Sequence, residues 1–114
     1  MNNFFKKKYF LIITFGALPA ALLRWQIDQI FIVNTLGCFL LGLINSLPMS
    51  KRKKLFLEFG FCSSLTTFSG WSLKLYDFLV IGNYLVFIFY LLLTVLFGFL
   101  GVGLGCLLAK KVIN

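Results

Sequence analysis

GFCSSLTTFSGW, at residues 60–71, is the stretch that decides the fold of this chain. It lies in an apolar segment, residues 55–82, which exceeds the length of about 20 residues that a helix needs to cross a bilayer. Its middle carries five hydroxyl side chains, which hydrocarbon cannot satisfy: Ser63, Ser64, Thr66, Thr67 and Ser69. Glycines at positions 60 and 70 are expected to loosen the helix at either end of this cluster. The pattern predicts a broken helix that lines a polar cavity and offers backbone carbonyl and N–H groups to ions.

A continuous helix is the alternative for the same stretch. Ser and Thr hydroxyls can bond back to carbonyls of their own helix, which would satisfy them without a break. Five hydroxyls in seven positions cover every face of a helix, however, so some would point at lipid. The broken helix is therefore favoured.

Composition places the whole chain in a lipid bilayer. The 114 residues are 61% hydrophobic and their mean hydropathy is +0.99, well above the values of soluble domains. Only three acidic residues and no histidine are present, so the chain has too few of the side chains that catalysis by paired carboxylates, metal clusters or histidine requires. We expect an integral membrane protein and no enzyme.

The positions of the basic residues and cysteines argue against a nucleic-acid-binding protein and against a disulfide-stabilised one. The net charge of +8 arises from lysines and arginines at the ends of apolar runs, where they set membrane orientation, so nucleic acid is not an expected partner. Three cysteines, Cys38, Cys62 and Cys106, are an odd number and each lies in an apolar run, so a disulfide framework has no support. We expect them to be packing residues.

The apolar runs predict one domain, residues 1–114, with four transmembrane helices at about 9–25, 30–47, 55–81 and 84–109. Each helix is about 10 Å across, so a lone bundle of four fills its own centre with side chains. A cavity therefore implies a dimer.

Nine basic residues, at 6–8, 51–54 and 110–111, lie on one side of this layout, against Arg24 and Lys74 on the other. The positive-inside rule then places both termini in the cytoplasm, in a multi-pass protein of the inner or plasma membrane.

Small and polar residues mark the helix faces that could meet. Gly16, Ala17, Ala20 and Ala21 form overlapping small-xxx-small pairs in the first span, and Gly101 and Gly105 repeat that spacing in the last. Asn34, with Gly37 and Cys38 one turn on, could face the same cavity as the hydroxyl cluster or simply bond to another helix. Tyr90 and Thr94, at i and i+4, form either a polar track or two separate interhelical bonds. Arg24, beside Trp25, could be an interfacial anchor or the positive mouth of an anion path.

Three segments together resemble the CrcB/Fluc fluoride channel family: GFCSSLTTFSGW in the third span, VNTLGCFLLG in the second and GALPAALLR in the first. The resemblance covers essentially the whole chain. It implies an all-α membrane protein whose four-helix subunits, each with a break in the third helix, pair antiparallel. It also implies two pores at the dimer interface and a structural sodium ion held by carbonyls of the break.

Site residues follow from the resemblance position by position. It implies that Asn34, Arg24, Phe68, Ser69, Tyr90 and Thr94 contribute to the fluoride pore, and that the carbonyls of Ser63 and Thr66 bind the sodium ion. Two departures stand out. Ser63 and Ser64 replace the usual pair of glycines, and Trp71, preceded by Gly70, replaces the second pore phenylalanine.

The chemistry of such a pore is coherent. Fluoride is small and strongly hydrated, so amide and hydroxyl donors and the positive edge of an aromatic ring must replace its water. We expect passive export that relieves fluoride toxicity, since no ATP motif or proton-carrying acid pair is present. The alternatives are a small four-helix multidrug exporter, which needs a membrane carboxylate that the first span lacks, and a structural subunit that packs through its glycine faces.

The charge bias also bears on the partner. An antiparallel homodimer requires the same sequence to insert in both orientations, whereas the basic residues here favour one side by nine to two. We therefore expect pairing with a second, oppositely oriented homologue, which could also supply the complete phenylalanine pair that Trp71 interrupts.

Overall fold

The computed structural model describes residues 3–27 and 29–113, and in these residues every regular element is a helix. Three elements are long: α1 (Asn3–Gln26), α2 (Ile30–Ser46) and α6 (Tyr84–Ile113). Between α2 and α6 the chain forms α3 (Lys51–Lys54), a π-helical segment (Leu55–Cys62), α4 (Ser63–Leu65) and α5 (Phe68–Ile81).

The helices have the length and surface of membrane elements. Lys6–Gln26 and Tyr84–Ile113 are long enough to cross a bilayer and each contains an apolar stretch of 18 residues, with mean hydropathies of 1.2 and 2.7, and α2 is a shorter apolar helix. Large apolar side chains are exposed along α1 and α6, including Phe10, Phe15, Leu92 and Phe99. An all-helical chain with such an apolar surface fits a membrane protein.

The helix break predicted from the hydroxyl cluster is confirmed, and it lies at Thr66 and Thr67. Thr66 has ψ 154°, and Thr67 has φ −143° and ψ 116°, so both are extended between α4 and α5. Before the break the helix is already widened, because the N–H of Ser63 donates to the carbonyl of Glu58, five residues back. We call Thr66 and Thr67 the break below.

Two hydroxyls also bond back to their own segment, as the continuous-helix alternative required. Ser63 Oγ donates to Glu58 O at 3.1 Å, and Thr66 Oγ1 donates to Cys62 O at 3.2 Å. The first bond lies just before the break and the second at its first residue. They satisfy hydroxyls at the end of the first half-helix without continuing the helix through the cluster.

The role expected of Gly60 and Gly70 is corrected by the structure. Neither glycine has a positive φ and neither lies at the break. Gly60 is instead a contact point: a Cβ there would come within 2.7 Å of the carbonyl oxygen of Ile13 on α1. Gly70 lies in the first turn of α5, where its N–H donates to Thr67 Oγ1 at 3.1 Å. A Cβ on Gly70 would lie within 3.2 Å of Thr67 and Ile30, so close packing, rather than backbone freedom, explains both glycines.

Helices α2 and α6 form the closest long contact of the fold. Gly101 and Gly105 are buried against α2, and a Cβ on Gly105 would collide with the carbonyl oxygen of Phe39. Gly42 of α2 is buried in the same way against the backbone of Val102. The close crossing predicted from Gly101 and Gly105 is confirmed, and it brings the two helix backbones together.

The opposite side of the fold packs α1 against the π-helical segment. Gly16 meets the carbonyl of Phe56 there. The fully buried Ala20 forms a small core with Val33 of α2 and Leu65 of α4. Leu65 directly precedes the break, so the core holds the end of α4 between α1 and α2.

A tight turn joins α5 to α6 at Gly82. Gly82 has φ 85°, a left-handed conformation that glycine adopts without strain, and its N–H donates to carbonyls in the last turn of α5. Asn83 N–H donates to Phe78 O at 2.9 Å. The turn returns the chain so that α6 runs back along α5 toward the break.

The glycines of α6 give a matched test of the α2–α6 contact. Gly105→Ala places a methyl against the Phe39 carbonyl, whereas the space around a Cβ at Gly103 is open. We expect Gly105→Ala to lower the free energy of unfolding by about 1–3 kcal/mol, because the helix backbones must separate. Gly103→Ala should be neutral or stabilising by up to about 1 kcal/mol, since alanine favours helix. Unfolding of the purified protein by titration with a denaturing detergent measures both, and equal effects would contradict this packing.

Candidate functional site

A groove of about 470 Å³ lies between α2, the break, the start of α5 and α6. Most of its surface is apolar, and we call it the polar groove after the amide and hydroxyl side chains that line it. Its apolar wall includes Leu41, Val95, Phe99 and Val102. The remaining lining comes from Asn34, Gly37, Cys38, Cys62, Ser63, Thr66, Thr67, Phe68, Trp71, Thr94 and Gly98. The groove therefore brings together most of the polar and aromatic residues that the sequence singled out.

Asn34 pairs with the backbone of the break through both ends of its amide. Asn34 Oδ1 accepts from the N–H of Thr67 at 2.7 Å, and Asn34 Nδ2 donates to the carbonyl of Thr67 at 3.2 Å. Gly37, one turn further along α2, allows this approach, because a Cβ there would collide with the methyl group of Thr66. Asn34 Oδ1 thus replaces the acceptor that the Thr67 N–H loses when the helix is interrupted, and Asn34 Nδ2 adds a second bond to the Thr67 carbonyl.

Thr67 also caps the second half-helix. Its Oγ1 accepts from the N–H of Gly70 at 3.1 Å, which is the usual bond of a threonine N-cap. Ser69 Oγ lies 3.4 Å from the same oxygen. Helix α5 therefore begins at the groove, and its N-terminus, where backbone N–H groups point outward, lies at the groove wall.

Phe68 and Trp71 form an aromatic pair on the first turn of α5. Their ring centroids are 5.5 Å apart and the rings are tilted by 47°. Phe68 lines the groove and is 77% exposed. Trp71 is half-buried and turns toward α6.

Trp71 is fastened to Thr94 by a hydrogen bond between α5 and α6. The indole Nε1 donates to Thr94 Oγ1 at 2.9 Å. Thr94 Oγ1 in turn lies 2.7 Å from Tyr90 O and 3.0 Å from Leu91 O, so its own hydrogen is held within α6. Sequence reasoning missed this bond, although one signal was available: tryptophan, unlike phenylalanine, carries an N–H that a buried site must satisfy.

The family model described as "CrcB-like protein, Camphor Resistance (CrcB)" matches residues 11–106. The chain belongs to the CrcB family. Among curated relatives, "Fluoride-specific ion channel FluC 1" of Prochlorococcus marinus (strain NATL2A) is 51% identical over 93% of both chains. "Fluoride-specific ion channel FluC 2" of Synechococcus sp. (strain CC9605) is 43% identical over 83% of this chain and 72% of its own length. "Fluoride-specific ion channel FluC" of Prochlorococcus marinus (strain MIT 9515) is 37% identical over 98% of this chain and 99% of its own.

Three of the residues assigned by resemblance to the CrcB family lie outside the groove lining. Arg24 is exposed near the end of α1. Tyr90 packs its ring edge-on against Phe78, at 5.5 Å, so of the two residues of the expected track only Thr94 reaches the groove. Ser69 is exposed beside the Thr67 hydroxyl.

The three cysteines are free thiols, as expected, and Cys38 and Cys62 line the groove.

The carbonyls of Ser63 and Thr66, the sodium ligands implied by the CrcB resemblance, have a chemistry that fits a hard cation. In a continuous helix, Ser63 O would accept from the N–H of Thr67 and Thr66 O from the N–H of Gly70. Those two donors are diverted, to Asn34 Oδ1 and Thr67 Oγ1 respectively. The break therefore leaves both oxygens without their helical donors, and unwound carbonyls of this kind coordinate sodium in membrane proteins.

The Trp71–Thr94 bond of this CrcB protein can be measured by a double-mutant cycle. Trp71→Phe and Thr94→Val each remove one partner, and we expect a coupling energy of about 1 kcal/mol in the free energy of unfolding. Trp25→Phe is the control, because Trp25 is 80% exposed on α1. Detergent-induced unfolding of the wild type, the two single variants and the double variant gives the coupling energy. Strictly additive effects would show that the bond contributes nothing.

Proposed function

We propose that this chain is a subunit of a fluoride-specific channel, through which fluoride leaves the cytoplasm passively and fluoride toxicity is relieved. The relatives named as fluoride channels support the ion. The observation that carries the proposal for this chain is the polar groove, in which the N-terminus of α5 meets Asn34 and an aromatic ring edge.

The groove has the electrostatics of an anion site. A helix N-terminus carries a partial positive charge of roughly half an elementary unit, and α5 begins at the groove wall. Among the described residues that line the groove, none is acidic, so nothing there repels an anion. Asn34 keeps one N–H of its amide nitrogen beyond the bond to Thr67 O. Phe68 adds the positive edge of its ring.

The apolar wall of the groove suits passage rather than tight binding. Leu41, Val95, Phe99 and Val102 give an anion no partners. An ion that moves past a few donors between such walls is held strongly enough to enter and weakly enough to leave. A small anion that fits the spaced donors is favoured, which agrees with fluoride.

The proposal includes an antiparallel dimer with a structural sodium ion at its centre. The groove is open along one side of the chain, and Phe68 and Ser63 on its rim are exposed, so a second subunit is needed to close the path. The carbonyls of Ser63 and Thr66 would hold the sodium ion together with their counterparts in the partner subunit. Such an ion would neutralise part of the carbonyl charge beside the anion path.

The partner is proposed to be a second, oppositely oriented homologue. The strong bias of basic residues toward one side opposes insertion of this chain in both orientations and favours the one with its two termini in the cytoplasm. The Trp71–Thr94 bond supports the same view. The second aromatic of this chain is tied to α6, so a complete pair of free rings would have to come from the partner.

Fluoride efflux from liposomes tests the channel and its pairing together. The chain is purified after expression alone and after co-expression with a homologue of opposite charge bias. Flux only after co-expression supports both proposals. Robust flux from the single polypeptide supports the channel and overturns the required second homologue. Absence of fluoride flux from both preparations overturns the channel.

Phe68 gives the sharpest variant for this assay. Phe68→Ile removes the polarised ring edge at a side chain so exposed that the fold should persist, and we expect fluoride flux to fall roughly tenfold. Phe59→Ile is the matched control, because Phe59 is 59% exposed on the π-helical segment and does not line the groove. Equal flux from the two variants would remove Phe68 from the ion path.

A further inference from the structure

A second groove, of about 700 Å³, lies on the other side of the fold, between α1 and the π-helical segment. Its floor is apolar and includes Phe15 and Phe56. Its rim carries three cations, Lys8, Arg52 and Lys53. We call it the basic groove.

Two of the four cations at 51–54 contact other parts of the chain, and the other two line the basic groove. Lys51 Nζ lies 5.4 Å from the centre of the Tyr9 ring, which shows that α3 and the start of α1 lie at the same end of the fold. Lys54 Nζ donates to Asn45 O at 3.3 Å. Arg52 and Lys53 are exposed instead and, with Lys8, line the basic groove.

The charge in the basic groove is uncompensated by acidic groups from the described part of the chain. Glu58 and Asp77 are the acidic residues there, and neither lines the groove. An anion with an apolar tail would gain electrostatic attraction from these three cations and burial against the apolar floor of the groove.

We propose that the basic groove binds an anionic phospholipid of the surrounding leaflet. The headgroup phosphate lies against Lys8, Arg52 and Lys53, and an acyl chain follows the apolar floor past Phe15 and Phe56. A bare inorganic anion would use only the rim, and a zwitterionic lipid would bring a positive group to the cations. An anionic lipid matches both parts of the groove. This inference does not rest on fluoride transport.

Native mass spectrometry of the purified protein, titrated with phosphatidylglycerol or with phosphatidylcholine of the same chains, tests the proposal. We expect the first phosphatidylglycerol to bind at least about tenfold more tightly than phosphatidylcholine. The variant Lys8→Gln/Arg52→Gln/Lys53→Gln should weaken that binding by roughly a hundredfold, from about 1 kcal/mol for each cation.

The matched control is Lys6→Gln/Lys7→Gln/Lys111→Gln, which removes the same charge outside the groove lining. We expect it to change the affinity by less than about threefold, as befits charges that do not touch the lipid. If the groove variant fails to fold, Arg52→Gln/Lys53→Gln against Lys6→Gln/Lys7→Gln makes the same comparison at exposed positions.

Three results would overturn the proposal. Equal losses in the groove and control variants would reduce the effect to general charge attraction. Equal affinity for the two lipids would remove the headgroup from recognition. Displacement of bound phosphatidylglycerol by millimolar inorganic phosphate or glycerol phosphate would show a site for a free anion.

Discussion

The amide of Asn34 and the backbone of Thr67 form the interaction on which the rest of the site depends. Inside a bilayer no water can satisfy an interrupted helix, and each unpaired backbone group costs several kcal/mol. Asn34 meets both groups of Thr67 at once, with bonds of 2.7 and 3.2 Å. One side chain on α2 therefore allows the helix to open at membrane depth at a defined residue.

The remaining features of the polar groove follow from that opening. Because Thr67 is extended, its hydroxyl is free to cap α5, which then starts at the groove and turns Phe68 and Trp71 toward it. The same diversion of N–H groups releases the carbonyls of Ser63 and Thr66. The tight α2–α6 contact at Gly42, Gly101 and Gly105 holds the opposite wall in place. The polar groove thus arises from redirected backbone hydrogen bonds rather than from charged side chains.

The two grooves divide the fold into faces with different surroundings. The polar groove is formed by α2, the break and α6, and its open side is suited to a partner subunit. The basic groove lies between α1 and the π-helical segment, where an apolar floor and three cations suit the lipid leaflet. On the two proposals, a partner subunit covers the polar groove and an anionic lipid lies in the basic groove.

The break could be predicted from the sequence because hydroxyls on every face of an apolar span conflict with lipid. Its position could not, since Gly60 and Gly70 suggested the ends of the cluster, whereas the choice of Thr66 and Thr67 depends on Asn34 of another helix. The close contact at Gly101 and Gly105 followed from spacing alone. Thr94 lines the groove but Tyr90, four residues before it, does not, because the Tyr90 ring packs on Phe78. The Trp71–Thr94 bond depends on the approach of α5 and α6, which no local pattern encodes.

Hydrogen exchange at the Thr67 amide tests the central claim most directly. In ¹⁵N-labelled protein in micelles, we expect this amide to be protected, and Asn34→Ala to speed its exchange by roughly ten- to a hundredfold, from about 1–3 kcal/mol for the lost acceptor. Asn45→Ala, at an exposed position of the same helix, should leave it unchanged. Unaltered protection of Thr67 in Asn34→Ala would contradict the claim that Asn34 holds the break.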